Sequence, residues 1–191
     1  MTPKILAFAG STREGSFNKK LIRIAAAGAT AAGAEVTLLD LRDLPLPLYD
    51  GDLEAREGIP ENARKLKELM VAHHGFLISA PEYNSSITGV LKNAIDWASR
   101  PASGEPSLVA FTAKAAALMS ASPGALGGLR GLVHLRAILS NIGVLVIPDQ
   151  VAVPLAPEAF AADGSLKDAK RQAGVDGLGR KLTELLRKLH G

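Results

Sequence analysis

The run "KILAFAGSTREGSFNKKLIRIAAAGATAAG", residues 4–33, changes character twice. Residues 4–10 are short, apolar and end in Gly10, as a strand buried on both faces does. The next residues, Ser11 to Ser16, are polar and punctuated by Gly15. From about Asn18 to Ala32, Leu21, Ile22, Ala25 and Ala29 form one apolar stripe at helical spacing, and Gly33 stands where a helix stops. A buried strand that passes through a polar turn into a helix is the first half of a parallel crossover.

The same alternation continues along the chain. "AEVTLLDL" (34–41) predicts the second strand, and the Pro- and Gly-punctuated segment 41–60 a long functional or partner-facing loop. Pro60 is expected at the first helical position of a helix reaching about His73, with "GFLISA" (75–80) as strand three. A helix follows over about Ile87–Ser99, capped by Ser85 or Ser86. "KAAALMSAS" (114–122) reads as strand four, 129–141 as a helix, "GVLVIP" (143–148) as strand five and 174–190 as a closing helix. Five apolar strands separated by helices imply a doubly wound α/β fold, three layers with a parallel sheet in the middle. The expected arrangement is flavodoxin-like with strand order 2-1-3-4-5, one domain over residues 1–191. In such a sheet ligands sit beyond the carboxyl ends of the strands, where the strand order reverses.

Bulk properties narrow the chemistry. The 191 residues include no cysteine, so disulfides, thiolate catalysis and cysteine-bound metals are excluded. Net charge is +3, with the basic residues dispersed, which argues for a mildly basic surface rather than nucleic-acid binding. No run reaches membrane-spanning length and the N-terminus lacks a signal pattern, so a cytoplasmic location away from membranes is expected. His73 and His74, at a helix end, read as favourable C-terminal charge rather than as metal ligands. Asp40, Asp43, Asp50 and Asp52 read as solvated loop carboxylates, and no metal site is expected.

Two turns carry the function. The first, Gly10–Asn18, joins a strand to a helix N-terminus, where unpaired N–H groups and the helix dipole favour an anion. Ser11, Thr12, Ser16 and Asn18 add short donors, and Arg13 adds a charged fork. Gly10 and Gly15 have the spacing of a triphosphate-binding loop, but Ser16 and Phe17 occupy the places of its Lys and Ser/Thr. A monophosphate held without metal fits this turn better, and no G-x-G-x-x-G appears for a dinucleotide. The second turn, "PEYNSS" (81–86), ends strand three at a proline and places Glu82, Tyr83 and Asn84 at the same sheet edge. A flat heteroaromatic ring is expected there, covered by Tyr83.

"GSTREGSFN" (10–18) and "PEYNSSITGVLKNAIDWASR" (81–100) together resemble the NADPH-dependent FMN reductase family, which includes quinone, chromate and azo-dye reductases. "SASPGALGGLRGLVHLRAIL" (120–139) resembles a further segment of that family, and 41–53 its proline-rich loop. The resemblance implies FMN as cofactor and NADPH or NADH as co-substrate. It implies that Ser11, Arg13, Ser16, Phe17 and Asn18 lie around the FMN phosphate. Pro81, Glu82, Tyr83 and Asn84 would meet the isoalloxazine, largely through backbone, with Ser120, Ser122 and Gly124 on a third side. It also implies a homodimer or homotetramer with the flavin near the interface and the Arg130–Arg136 region in those contacts. Val133 stands where some chromate- and quinone-reducing members carry Tyr, so their particular assembly and substrate site are not carried over to this chain.

The expected chemistry is a ping-pong transfer of hydride from NAD(P)H through FMN to a small-molecule acceptor: a quinone, an azo compound, a metal oxyanion or free flavin. No side chain is assigned as a nucleophile. The alternative is a flavodoxin-like electron carrier without nicotinamide turnover, although such carriers tend to be acidic. A phosphoacceptor receiver domain is excluded, because strand one ends in Ala9-Gly10 and strand three in Ser79-Ala80, where acidic residues would be needed.

Overall fold

A computed structural model describes residues 1–191. In chain order the elements are β1 (Lys4–Ala9), α1 (Phe17–Ala31), β2 (Glu35–Leu39), a 3-10 turn (Leu41–Asp43), α2 (Gly51–Glu57) and α3 (Glu61–Ala72). Then come β3 (Gly75–Ser79), β4 (Glu82–Tyr83), β5 (Ser86–Ile87), α4 (Gly89–Ala98) and β6 (Ala115–Ala121). The chain closes with α5 (Leu129–Asn141), β7 (Leu145–Val153), α6 (Ala156–Ala159) and α7 (Ala169–His190). Strands β2, β1, β3, β6 and β7 form one parallel sheet in that order. With the hairpin β4–β5 set aside, this is the expected flavodoxin-like order 2-1-3-4-5.

Strand alternation builds a core on each face. Ile5 and Ala7 of β1 join Leu21 of α1 and Leu178 of α7 on one side. Leu6 and Phe8 join Leu66 of α3, Leu91 of α4 and Leu132 of α5 on the other. Strands apolar on both faces leave the sheet no stable place except between two helical layers. On the first side α1 and α7 cross at very short range. A Cβ on Gly179 would lie 2.0 Å from the Ala25 carbonyl oxygen, and one on Gly28 would lie 2.2 Å from that of Asp176.

Several local expectations are corrected. Pro60 is the N-cap of α3 rather than its first helical residue. The loop after β2 contains α2, whose N-cap Asp50 accepts from the Asp52 and Leu53 N–H groups. Asp40 accepts from Arg42 N–H and pairs with Lys19. These two carboxylates are therefore caps as well as solvated loop residues. Residues 82–87 fold into a hairpin, and α4 starts only at Gly89, because Thr88 caps it in place of Ser85 or Ser86. Helix α7 starts at Ala169, five residues before the expected Gly174, behind the cap of Asp168.

Strand β7 continues past Pro148 to Val153. It lies at the sheet edge, where a proline is tolerated, and bulges between its pairings with Ala116 and Leu118. The Arg136 guanidinium donates to the carbonyls of Val146 (3.3 Å) and Ile147 (2.8 Å) at that bulge. The extra residues carry β7 to the same edge at which β1, β3 and β6 end.

At the opposite edge His73 Nδ1 donates to Leu69 O and its Nε2 bonds Thr37 Oγ1, at the end of α3. His74 differs. Its Nδ1 accepts from the Lys4 N–H at 2.9 Å, and its ring lies 5.0 Å from that of His190. Burial first, then the positive charge of His190, Lys114, Lys4 and His73, holds its pKa below the ordinary 6.5.

Two outcomes follow. Gly179→Ala forces a methyl group into the α1 backbone and lowers stability by about 1–3 kcal/mol, measured by urea unfolding. A folded-state pKa below the unfolded value means His74 contributes stability that is complete above about pH 6.5 and is lost as pH falls toward its folded pKa. The stability difference between wild type and His74→Asn, which keeps an acceptor but does not titrate, shrinks over that window.

Candidate functional site

Three strand ends meet beyond the carboxyl edge of the sheet. The turn after β1 stays close to α4, since a Cβ on Gly10 would lie 2.9 Å from Leu91 Cβ. Thr88 Oγ1 donates to the Gly10 carbonyl at 2.7 Å while capping α4, so one hydroxyl ties the two turns together. The Asn18 amide ties the start of α1 to the other strand ends. Its Nδ2 donates to Ala121 O (2.8 Å), and its Oδ1 accepts from Ala121 N–H (3.0 Å) and Ser79 Oγ (2.8 Å). The Asn18 side chain thus anchors the turn through Oδ1 and one of its two Nδ2 protons.

The turn itself is left unpaired. Ser16 is the N-cap of α1, yet its side chain makes no capping bond. The N–H groups of Ser11, Thr12, Ser16, Phe17 and Asn18 have no acceptor in the protein. Arg13 is exposed and has no ion-pair partner. Unpaired N–H groups at a helix start, two hydroxyls and a free guanidinium make an anion site. If the serines and glycines here only capped α1, Ser16 would be bonded to the helix, and it is not. The site fits a phosphate monoester.

The second wall is the hairpin β4–β5. Pro81 leaves β3, and the turn is made by Asn84 and Ser85, both in the left-handed region (φ 50° and 67°). Tyr83 is 53% exposed. The Glu82 carboxylate is turned toward α5, where it accepts from Arg130 and Gly131 N–H and from the Arg130 guanidinium. Burial alone would raise its pKa, but these donors hold it below the ordinary carboxylate value. The third wall, Ala121–Pro123, is fastened to the end of β7 by Ser122 N–H to Val153 O and Ala156 N–H to Ser122 O.

A cleft of about 60 Å³ runs between the walls, lined by Ser11, Arg13, Ser16, Phe17, Asn18, Pro81, Glu82, Tyr83, Ala121, Ser122 and Pro123. The fold thus gathers most of the residues singled out in the sequence. Four stand apart from the lining, one of them Thr12, which faces a separate pocket with Leu41 and Pro45. Asn84 is at the exposed hairpin tip, Gly124 is exposed beyond Pro123, and Ser120 is wholly buried against Gly128 with its hydroxyl unpaired. Ala121 and Pro123 line the cleft without having been singled out, although they lie inside the quoted "SASPG" run. Thr88 and Arg130 support it from behind, and only their neighbours in space reveal it.

The sequence model described as NADPH-dependent FMN reductase matches residues 3–158. An NAD(P)H-dependent FMN reductase of Pseudomonas aeruginosa is 36% identical over 189 residues, covering 98% of this chain and 97% of that one. A quinone reductase of Escherichia coli is 36% identical over 148 residues, covering 75% of this chain and 73% of the relative. Among solved structures, the flavoenzyme NAD(P)H:(acceptor) oxidoreductase FerB of Paracoccus denitrificans superposes with a TM-score of 0.82 at 32% identity, covering 98% of each chain.

Asn18→Ala strips the partners from Ser79 Oγ and from both backbone groups of Ala121. Each buried group left unpaired costs about 1–3 kcal/mol. Denaturant unfolding is expected to show a loss of at least about 2 kcal/mol on that basis, larger than for any exposed residue of the same turn.

Proposed function

The chain belongs to the NADPH-dependent FMN reductase family, and we propose that its three-walled cleft holds FMN and serves transfer of electrons from NAD(P)H to a quinone. The observation that carries this reading is the unpaired turn at the start of α1, with a free Arg13 and an N-cap serine that does not cap. FMN, when bound, supplies the redox chemistry, accepting hydride from the nicotinamide and passing electrons to the second substrate. The protein contributes position and electrostatics. Arg13, the Ser11 and Ser16 hydroxyls and the N–H groups of Ser11, Thr12, Ser16, Phe17 and Asn18 would neutralise and orient the phosphate. Pro81–Tyr83 and Ala121–Pro123 flank the ring end, and the half-exposed Tyr83 stands at the mouth, where a flat substrate would meet it.

Because one mouth serves both substrates, they enter in turn, which gives a ping-pong cycle. Quinone is the preferred acceptor because the relatives include one named for quinone reduction. Azo compounds, metal oxyanions and free flavin are further acceptors within the same proposal. The unit proposed for this work is one flavodoxin-like domain, 1–191, located in the cytosol, where NAD(P)H is supplied. A second copy is proposed to cover the exposed apolar residues beside the mouth: Leu126, Leu129 and Val133 are 50%, 41% and 58% exposed.

Purified protein reconstituted with FMN is expected to be yellow, to oxidise NAD(P)H in the presence of a quinone, and to give parallel double-reciprocal plots. Protein that binds flavin but turns over no nicotinamide with any acceptor is an electron carrier instead. Arg13→Ala is expected to weaken FMN binding about ten- to hundredfold, as loss of a charged hydrogen bond of about 1.5–3 kcal/mol implies. Unchanged affinity means the phosphate is held elsewhere.

A further inference from the structure

Two of the cleft's walls leave the sheet from different strands. One is the hairpin after β3, the other the loop after β6 that runs into α5. The geometry points to Glu82 as the positioning residue that cross-links these walls and so sets the width open to the ring end of the ligand. The inference rests on the FMN reading above, and it concerns the side chain, not the backbone, of Glu82.

The hairpin cannot hold its own place. It has only the pairs Glu82↔Ile87 and Tyr83↔Ser86, and a ribbon that short is not stable alone. Its turn is made by Asn84 and Ser85 at positive φ with no glycine, which adds strain. Something outside must fix it, and the Glu82 carboxylate does. It accepts from Arg130 N–H (3.0 Å), Gly131 N–H (3.2 Å) and Arg130 Nε (2.8 Å). The N–H groups belong to the first turn of α5, where the helix dipole also favours a negative charge. The side chain of Glu82 is only 7% exposed, although the Arg130 side chain that meets it is 57% exposed.

The surface under the hairpin is cleared for this seat. A Cβ on Gly131 would lie 3.2 Å from Ser86 O, tighter than ordinary contact. One helical turn further along, His134 Nδ1 meets Ser86 Oγ at 3.0 Å on the exposed surface, a weaker second tether. Loss of the carboxylate leaves the hairpin with that tether and the packing of Ile87 against the core, and loosens Tyr83 relative to Ser122 and Pro123.

The test separates the ring end of the ligand from the phosphate end. Wild type, Glu82→Ala, Glu82→Gln and Arg13→Ala are titrated with FMN and with riboflavin, following flavin fluorescence. Amide exchange of residues 82–87 is measured without ligand. Glu82→Ala is expected to weaken both flavins by a similar factor, roughly tenfold or more, and to speed exchange in the hairpin. Arg13→Ala weakens FMN alone. Glu82→Gln keeps an acceptor for the α5 N–H groups and recovers most of the affinity.

Wild-type affinity for both flavins in Glu82→Ala, or a loss confined to FMN, overturns the proposal. If Glu82→Ala does not fold, Glu82→Asp carries the test: one methylene shorter, it must weaken both flavins and speed hairpin exchange, and no change in either overturns the proposal. If wild type binds no flavin, the FMN reading fails by itself. Hairpin exchange then decides the cross-link alone, faster exchange in Glu82→Ala supporting it and equal exchange refuting it.

Discussion

The buried amide of Asn18 holds the end of β3, the end of β6 and the start of α1 at one spacing. Each of its bonds lies inside the protein, away from competing water, so the three segments move together or not at all. The neighbouring turn can then leave its own N–H groups unpaired, because its position does not depend on them. Folding leaves such groups unsatisfied at a cost, and they persist where a ligand takes them up. The anion site is thus a consequence of a rigid clamp beside it.

The same division of labour recurs around the cleft. Thr88 caps α4 and holds the Gly10 carbonyl, so the helix that follows β3 also restrains the turn that follows β1. Val153 and Ala156 hold Ser122 from the end of β7. Each wall is fixed by bonds to partners outside the cleft, among them Ser79, Thr88, Arg130 and Val153. That organisation suits chemistry carried by a cofactor, where the protein's task is to hold a reactive ring still and exclude alternatives. Membership of a flavin-dependent reductase family accords with it.

Electrostatics follow the same plan. The mouth is basic because Arg13 is free and α1 presents its positive end, while the acidic residues beside it are occupied, Glu82 by Arg130 and the start of α5 and Glu14 by Arg42. Other carboxylates that look prominent in the sequence are occupied locally, Asp40 with Lys19 and Asp50 as a helix cap. An anionic phosphate therefore meets little opposing charge.

The amino-acid sequence by itself determined the layer architecture, the strand order and the two turns that face each other. These depend on periodicity and on glycine, proline and hydroxyl placement, which are local. It also exposed the turn after β1 as over-supplied with donors for a mere cap. Only the tertiary structure decided which donors are free. Asn18 and Ser16 look alike as polar residues at a helix start, yet one is bonded to Ala121 and Ser79 and the other is unbonded. The hairpin 82–87 was illegible because its anchor, the first turn of α5, lies some fifty residues away. Strand β7 outran its expected end because an edge position and the distant Arg136 make a proline and a bulge tolerable. In each case the deciding partner is remote along the chain, and pairing between remote groups is what a sequence pattern does not encode.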